Sequence, residues 1–171
     1  VATEEQFSEF AHSVAPMLHR TAWLLTSDRH AAEDLVQDTL ERMYGVMRRR
    51  RRLDNPAGYA RTVLVRLHVD QRRRRSSTEV VMSELPEAGT ETDRSGVLAL
   101  QAALDELGRQ DRAVVILRYY FGLSVAETAR EIGISDGAVK MRATRALGRL
   151  RERLTDVVVP HEPDPAHGRR P

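Results

Sequence analysis

The stretch SVAETAREIGISDGAVKMRATRALGRL, residues 124–150, decides the fold. Ser124 can cap a helix whose apolar positions are Val125, Ala129 and Ile132. Ala129 is small and permits close approach of a second helix. Gly133 stands where that helix ends, a place where left-handed backbone suits glycine. Ile134 fills the corner, Ser135 can cap the next helix with Asp136 in its first turn, and Val139 anchors it. This is the spacing of a helix-turn-helix. The second helix carries Lys140, Arg142, Arg145, Arg149 and Arg153 as a basic stripe fit for a DNA major groove. A structural hairpin with a solvated basic face is the alternative account of the same residues.

Working outward, helical periodicity runs back through Val114, Val115, Leu117 and Tyr120 to Leu98, Leu100, Leu104 and Leu107. Before it, residues 76–96 are rich in Ser, Thr, Glu and Gly and contain Pro86. They read as an acidic linker, extended or disordered. Further upstream, Thr3 and Gln6 form a capping box for a helix carrying Phe7, Phe10, Val14, Met17, Leu18 and Leu24. Pro16 lies inside that pattern, so a kink or break is expected there. Asp28 can cap a second helix burying Ala31, Leu35, Leu40 and Met43. Asn55-Pro56 starts a third, burying Tyr59, Ala60, Val63, Leu64 and Leu67 and ending in the Arg72 to Arg75 run. No segment alternates with period two. The expectation is an all-α protein of two small helical domains, 1–75 and 97–156, joined by a flexible linker, with a disordered tail over 157–171.

The 171 residues carry a formal net charge of only +2, which conceals strong segregation. Residues 1–47 sum to −5, residues 48–75 to +9, residues 76–110 to −5 and residues 111–171 to +3. Clustered bases mark where polyanions bind. The bases are Arg almost throughout, and Lys140 is the single lysine. Arg offers planar, bidentate donors for phosphates and base edges.

The absence of cysteine excludes a disulfide scaffold, a thiol nucleophile and thiolate zinc sites. No apolar run reaches the roughly 18 residues of a membrane span, and the acidic VATEEQF start is unlike a signal peptide. A soluble, cytoplasmic protein is expected. Nothing looks catalytic: the segment around Ser124 lacks the strand that a nucleophile elbow needs. His12, His19, His30 and His68 have no ligand spacing, and His161 and His167 lie in the proline-rich tail. The reading is therefore no enzyme, no cofactor and no metal.

Asp34, Gln37, Asp38 and Glu41 fall at i, i+3, i+4 and i+7 on one helix face. The surrounding string AEDLVQDTLERMY, residues 32–44, closely resembles the core-polymerase-binding segment of bacterial sigma factors of the extracytoplasmic-function (ECF) group. NPAGYARTVLVRLHVDQRRRR, residues 55–75, is similar to that family's minus-ten-binding helix. Residues 104–154 resemble its minus-35-binding domain throughout, and the short length resembles actinobacterial members.

The resemblance implies promoter recognition and strand opening in concert with RNA polymerase, whose clamp and flap would be the docking points. It places Asp34, Gln37, Asp38, Leu40 and Tyr44 at the polymerase clamp. It places Arg52, Asn55, Arg61, Arg66 and Arg72 at minus-ten DNA, the loop from Arg50 to Asn55 matching the family's pocket for a flipped base. Ser135, Lys140, Met141, Arg142, Thr144, Arg145 and Arg149 would meet minus-35 DNA. An anti-sigma factor is a further partner that the family suggests. The sequence departs from the family at Arg66, often Asn there, and at Thr128, usually apolar. The competing reading is a stand-alone helix-turn-helix regulator binding operators as a dimer; the acidic stripe and the linker argue against it.

Overall fold

A computed structural model describes residues 3–49, 53–70 and 91–158. Arg52, the Arg72 to Arg75 run, the expected linker through residue 90 and the tail beyond residue 158 lie outside the described residues. The described residues form α1 (Glu4–Thr26), α2 (Arg29–Arg49), α3 (Pro56–Asp70), α4 (Glu91–Asp105) and α5 (Arg109–Val115). A π-helical turn (Ile116–Tyr120), α6 (Val125–Ile132) and α7 (Asp136–Val158) complete them. No strand occurs among the described residues.

Local chemistry sets the helix starts. Thr3 and Gln6 close a reciprocal capping box at α1, and Asp28 Oδ1 accepts from the Ala31 N–H at 2.6 Å to start α2. Asn55 Oδ1 accepts from the Gly58 N–H at 2.8 Å at the head of α3. Each such cap is worth about 1 kcal/mol. Gly58 permits the last of these, because a Cβ there would stand 2.6 Å from Asn55 Nδ2.

Three expectations need correction. First, α1 runs unbroken through Pro16. Val14 and Leu18, on either side, are buried in the core, and Pro16 and His12 face solvent. The lost hydrogen bond therefore leaves the His12 carbonyl to water, and packing outweighs a cost of about 3 kcal/mol. Second, α4 begins at Glu91, inside the segment expected to be linker. Gly96 is tolerated there at about 1 kcal/mol relative to Ala. Third, the buried faces are shifted. α2 buries Ala32, Leu35, Val36, Thr39 and Met43, with Ala31 and Leu40 only half-buried. In α3, Tyr59 is exposed and Val63 half-buried, while Ala60, Leu64, Val65, Leu67 and His68 are inward.

The two helical units touch, and one hydrophobic cluster runs through both. It joins Leu18, Leu25, Leu35, Met43, Leu64 and Val65 to Val114, Leu117, Ile132 and Val139. Burying a side chain of this size contributes about 1.5–3 kcal/mol. Polar groups fix the contact. α1 ends on Ser27 in the left-handed region, φ 54°. Its last carbonyls are met from the other unit: Gln101 Nε2 donates to Trp23 O at 3.1 Å, and Arg112 Nε to Leu24 O at 2.5 Å. Arg112 also donates to Ser27 Oγ at 2.6 Å and to Asp105 at 2.7 Å, which neutralises a guanidinium that is only 5% exposed.

Candidate functional site

The helix-turn-helix forms as its residues dictate. Ser124 and Glu127 make a reciprocal capping box at α6, and the Ser124 hydrogen bonds hold the Glu127 carboxyl below its ordinary pKa. Gly133 takes φ 74° at the C-cap of α6, and Ser135 Oγ accepts from the Ala138 N–H at 3.2 Å to start α7. Val139 and Ala146 are fully buried, Ala143 nearly so. Thr128 is fully buried too, and its hydroxyl has no partner.

On this anchor α7 presents Lys140, Met141, Thr144, Arg145 and Arg149 to solvent, with Ser135 exposed at its head. Arg142 is half-buried. Sequence reasoning missed the group behind this face. Asp111 of α5, 3% exposed, takes Arg142 Nη1 at 2.8 Å and Arg145 through both Nε (2.9 Å) and Nη2 (2.7 Å). Arg153 is likewise paired, with Glu106 at 2.5 Å.

A second face lies on α2. Asp34, Gln37, Asp38 and Glu41 are all exposed, as their spacing requires. Beside them a groove of about 460 Å³ opens between α1 and α2, lined by Phe7, Val36, Leu40 and Tyr44 among others. The Tyr44 ring stands edge-on to Phe7, centroids 5.0 Å apart. Four of the groove's walls are thus apolar, flanked by a carboxylate stripe, which suits a partner that is apolar at its centre and basic at its rim.

A third face lies where α2 meets α3. A groove of about 660 Å³ is lined by Arg42, Arg49, Tyr59, Arg66 and Asp70 among others. Arg42 and Arg49 are additions to the sequence reading, detectable from their i, i+7 spacing on α2. Tyr59, one of its walls, offers an exposed aromatic surface that a base could stack on. Two expected residues here are engaged by the other unit. Arg61 forms a two-pronged ion pair with Glu131 and lies 4.9 Å over the Phe121 ring. Arg66 donates to the carbonyls of Glu131 (2.7 Å) and Arg130 (2.9 Å) at the end of α6. Asn55 serves as the cap of α3.

His68, buried beneath this face, has neither ring nitrogen paired. Burial pushes its pKa down to about 3, and repulsion from Arg109 and Arg112 adds to the effect. Arg109 reaches the His68 carbonyl at 3.0 Å. Burial also lowers the pKa of Arg112, with Asp105 opposing.

Comparison with known proteins covers most of the chain. Residues 10–78 match the family description "Sigma-70 region 2" and residues 98–150 match "Sigma-70, region 4". The RNA polymerase sigma-E factor of Streptomyces coelicolor is 35% identical over 156 residues, 87% of this chain and 86% of the relative. The ECF RNA polymerase sigma factor SigL of Mycobacterium tuberculosis is 34% identical over 153 residues, 85% and 86% of the two chains. Among solved structures, the sigma factor RpoE in complex with the anti-sigma factor NepR from Bartonella quintana superposes with a TM-score of 0.65 at 25% identity. That match covers 88% of this chain and 98% of the other. CnrH in complex with the cytosolic domain of CnrY shares the fold, with a TM-score of 0.62 at 20% identity over 92% of each chain.

Proposed function

Because the chain belongs to the ECF family of RNA polymerase sigma factors, we propose that it divides promoter engagement between two domains, residues 1–75 and 97–156. The protein is a sigma factor: it binds core RNA polymerase and directs promoter-specific transcription initiation. Its part is binding, in the cytoplasm, rather than catalysis.

The carrying observation is that α7 stands outward on a capped helix-turn-helix with Lys140, Met141, Thr144, Arg145 and Arg149 exposed. These residues, with Arg142, meet minus-35 DNA, and Ser135 at the helix start suits a phosphate. The exposed carboxylates of α2 and the apolar groove beside them serve the polymerase clamp, through Asp34, Gln37, Asp38, Leu40 and Tyr44. The 97–156 domain docks on the flap. Asn55, Arg61, Arg66, Arg52 and Arg72 serve the minus-ten element, joined by Arg42, Arg49 and Tyr59 of the α2–α3 groove. Extruding a base costs a few kcal/mol, which arginine and aromatic contacts must offset. Arg61 and Arg66 are held by Glu131 and the end of α6. Downstream DNA therefore competes with the second unit for them, and an anti-sigma factor that favours the closed contact would oppose promoter binding.

The test is reconstitution. The full chain should co-elute with core RNA polymerase and support promoter-dependent transcription in a purified system. Asp38→Arg should abolish co-elution without altering the helical circular dichroism. Persistent co-elution would refute the clamp assignment. Binding of operator duplex as a dimer without polymerase would support the competing regulator.

A further inference from the structure

Resting on the reading of α7 as the promoter-reading helix, we infer that Asp111 is a positioning residue that aims Arg145 at a guanine of the upstream element. Asp111 is on α5, thirty-four residues before Arg145, and its side chain is 5% exposed, too deep to meet DNA itself. Its Oδ2 accepts from both Nε and Nη2 of Arg145, at 2.9 and 2.7 Å. Oδ1 also takes Nη2 at 2.8 Å and Arg142 Nη1 at 2.8 Å.

A guanidinium has two edges able to make paired hydrogen bonds. The Nε/Nη2 edge of Arg145 is occupied by Asp111. Nη2 is shared between both Asp111 oxygens, and the remaining Nη1/Nη2 edge turns its Nη1 end, without a hydrogen bond among the described residues, to DNA. That edge fits guanine O6 and N7 in the major groove. The Arg145 side chain remains 46% exposed, so the fixed group is still reachable. Holding a long side chain in one rotamer before binding removes an ordering cost otherwise met on association. It also fixes where the donor edge points. An unheld arginine can swing to a neighbouring phosphate, gaining affinity but no base preference.

Arg142 shares the carboxylate through a single N–H and is half-buried at 25% side-chain exposure. It fills a further acceptor position on Oδ1 and needs no base of its own. Asp111 thus sets selectivity at one base pair through Arg145, while Lys140 and Arg149, exposed and unclaimed by Asp111, supply affinity.

The experiment selects bound sequences from a linear duplex library, randomised across both promoter elements, using the full chain reconstituted with core RNA polymerase. Four variants accompany the wild type: Asp111→Asn, Arg145→Ala, the double substitution and Arg142→Gln. A base preference is a ratio within one preparation, so it is independent of the fraction folded. The wild type should prefer guanine at one upstream position by about tenfold or more. Asp111→Asn and Arg145→Ala should each flatten that position to about threefold or less, and the double substitution should add nothing further. Arg142→Gln, which leaves Asp111 wholly to Arg145, should weaken binding yet retain the preference.

An unchanged preference in Asp111→Asn, or its loss in Arg142→Gln, overturns the positioning role while leaving α7 as the reader. No effect of Arg145→Ala overturns both the role and the assignment of Arg145. Additive losses in the double substitution would show that Asp111 acts on the fold rather than through Arg145.

Discussion

Acidification from about pH 7.5 to about pH 5.5 should weaken the folded chain through His68 by about 1 kcal/mol. In the unfolded chain His68 takes up its proton near 6.5, and in the fold it does so only at about 3. Between those values the unfolded state binds more protons. Stability therefore rises with pH and is lost as pH falls below about 6.5. One unit below that value the neutral imidazole is disfavoured about tenfold, the origin of the figure. The groups facing the ring are the guanidinium groups of Arg109 and Arg112 on α5, which add repulsion to desolvation. Carboxylates titrate over part of the same interval, so the comparison is with His68→Leu. This substitution keeps the bulk and removes two unpartnered nitrogens. Urea unfolding followed by far-ultraviolet circular dichroism, at both pH values, gives four stabilities. Wild type should lose about 1 kcal/mol more than His68→Leu over the interval. Equal losses in the two proteins would refute the burial of His68 between α3 and α5.

Thr128→Val should raise stability by about 1 kcal/mol, because it replaces a fully buried hydroxyl without a partner by a methyl group; a lower urea midpoint would show that the hydroxyl is satisfied in solution. Glu131→Gln should tighten binding of the full chain to a single-stranded oligonucleotide by about fivefold, equivalent to about 1 kcal/mol removed from the closed contact. Fluorescence anisotropy measures this, and unchanged affinity would mean that Arg61 is not withheld from DNA.

The parts of this molecule that were legible in its sequence are those whose partners lie within one helical turn. Thr3 with Gln6, Ser135 with Ala138, and Gly133 at its helix end all act across four residues or fewer. The carboxylate stripe of α2 was legible for the same reason: helix geometry alone puts i, i+3, i+4 and i+7 together. The shifted burial of Tyr59 was not, since periodicity marks an apolar face but not which flank a neighbouring element covers. Pro16 misled because its local cost is real but smaller than the packing of Val14 and Leu18 around it. Asp111 with Arg145, Arg61 with Glu131 and Arg112 with Leu24 join residues far apart in sequence. No local signal announces such a pair, and they are the contacts that decide which arginines are available.

Availability changes what the segregated charge means. The segment 48–75 sums to +9, yet two of its arginines are already committed to the far end of α6. The commitments differ in kind. Arg66 is held by two carbonyls at a helix C-terminus, which present only about half an elementary charge; a phosphate presents a full one and can displace them readily. Arg61 is held by a carboxylate with both side chains largely buried, 18% and 13% exposed. Drawing Arg61 away to a phosphate leaves Glu131 uncompensated, a cost of several kcal/mol unless Glu131 also reaches water. Phosphates can therefore win Arg66 while the two units stay in contact, but winning Arg61 requires that they part. On the proposed minus-ten role of Arg61, downstream promoter engagement and separation of the units form one coupled equilibrium, with Glu131 as the residue that links them.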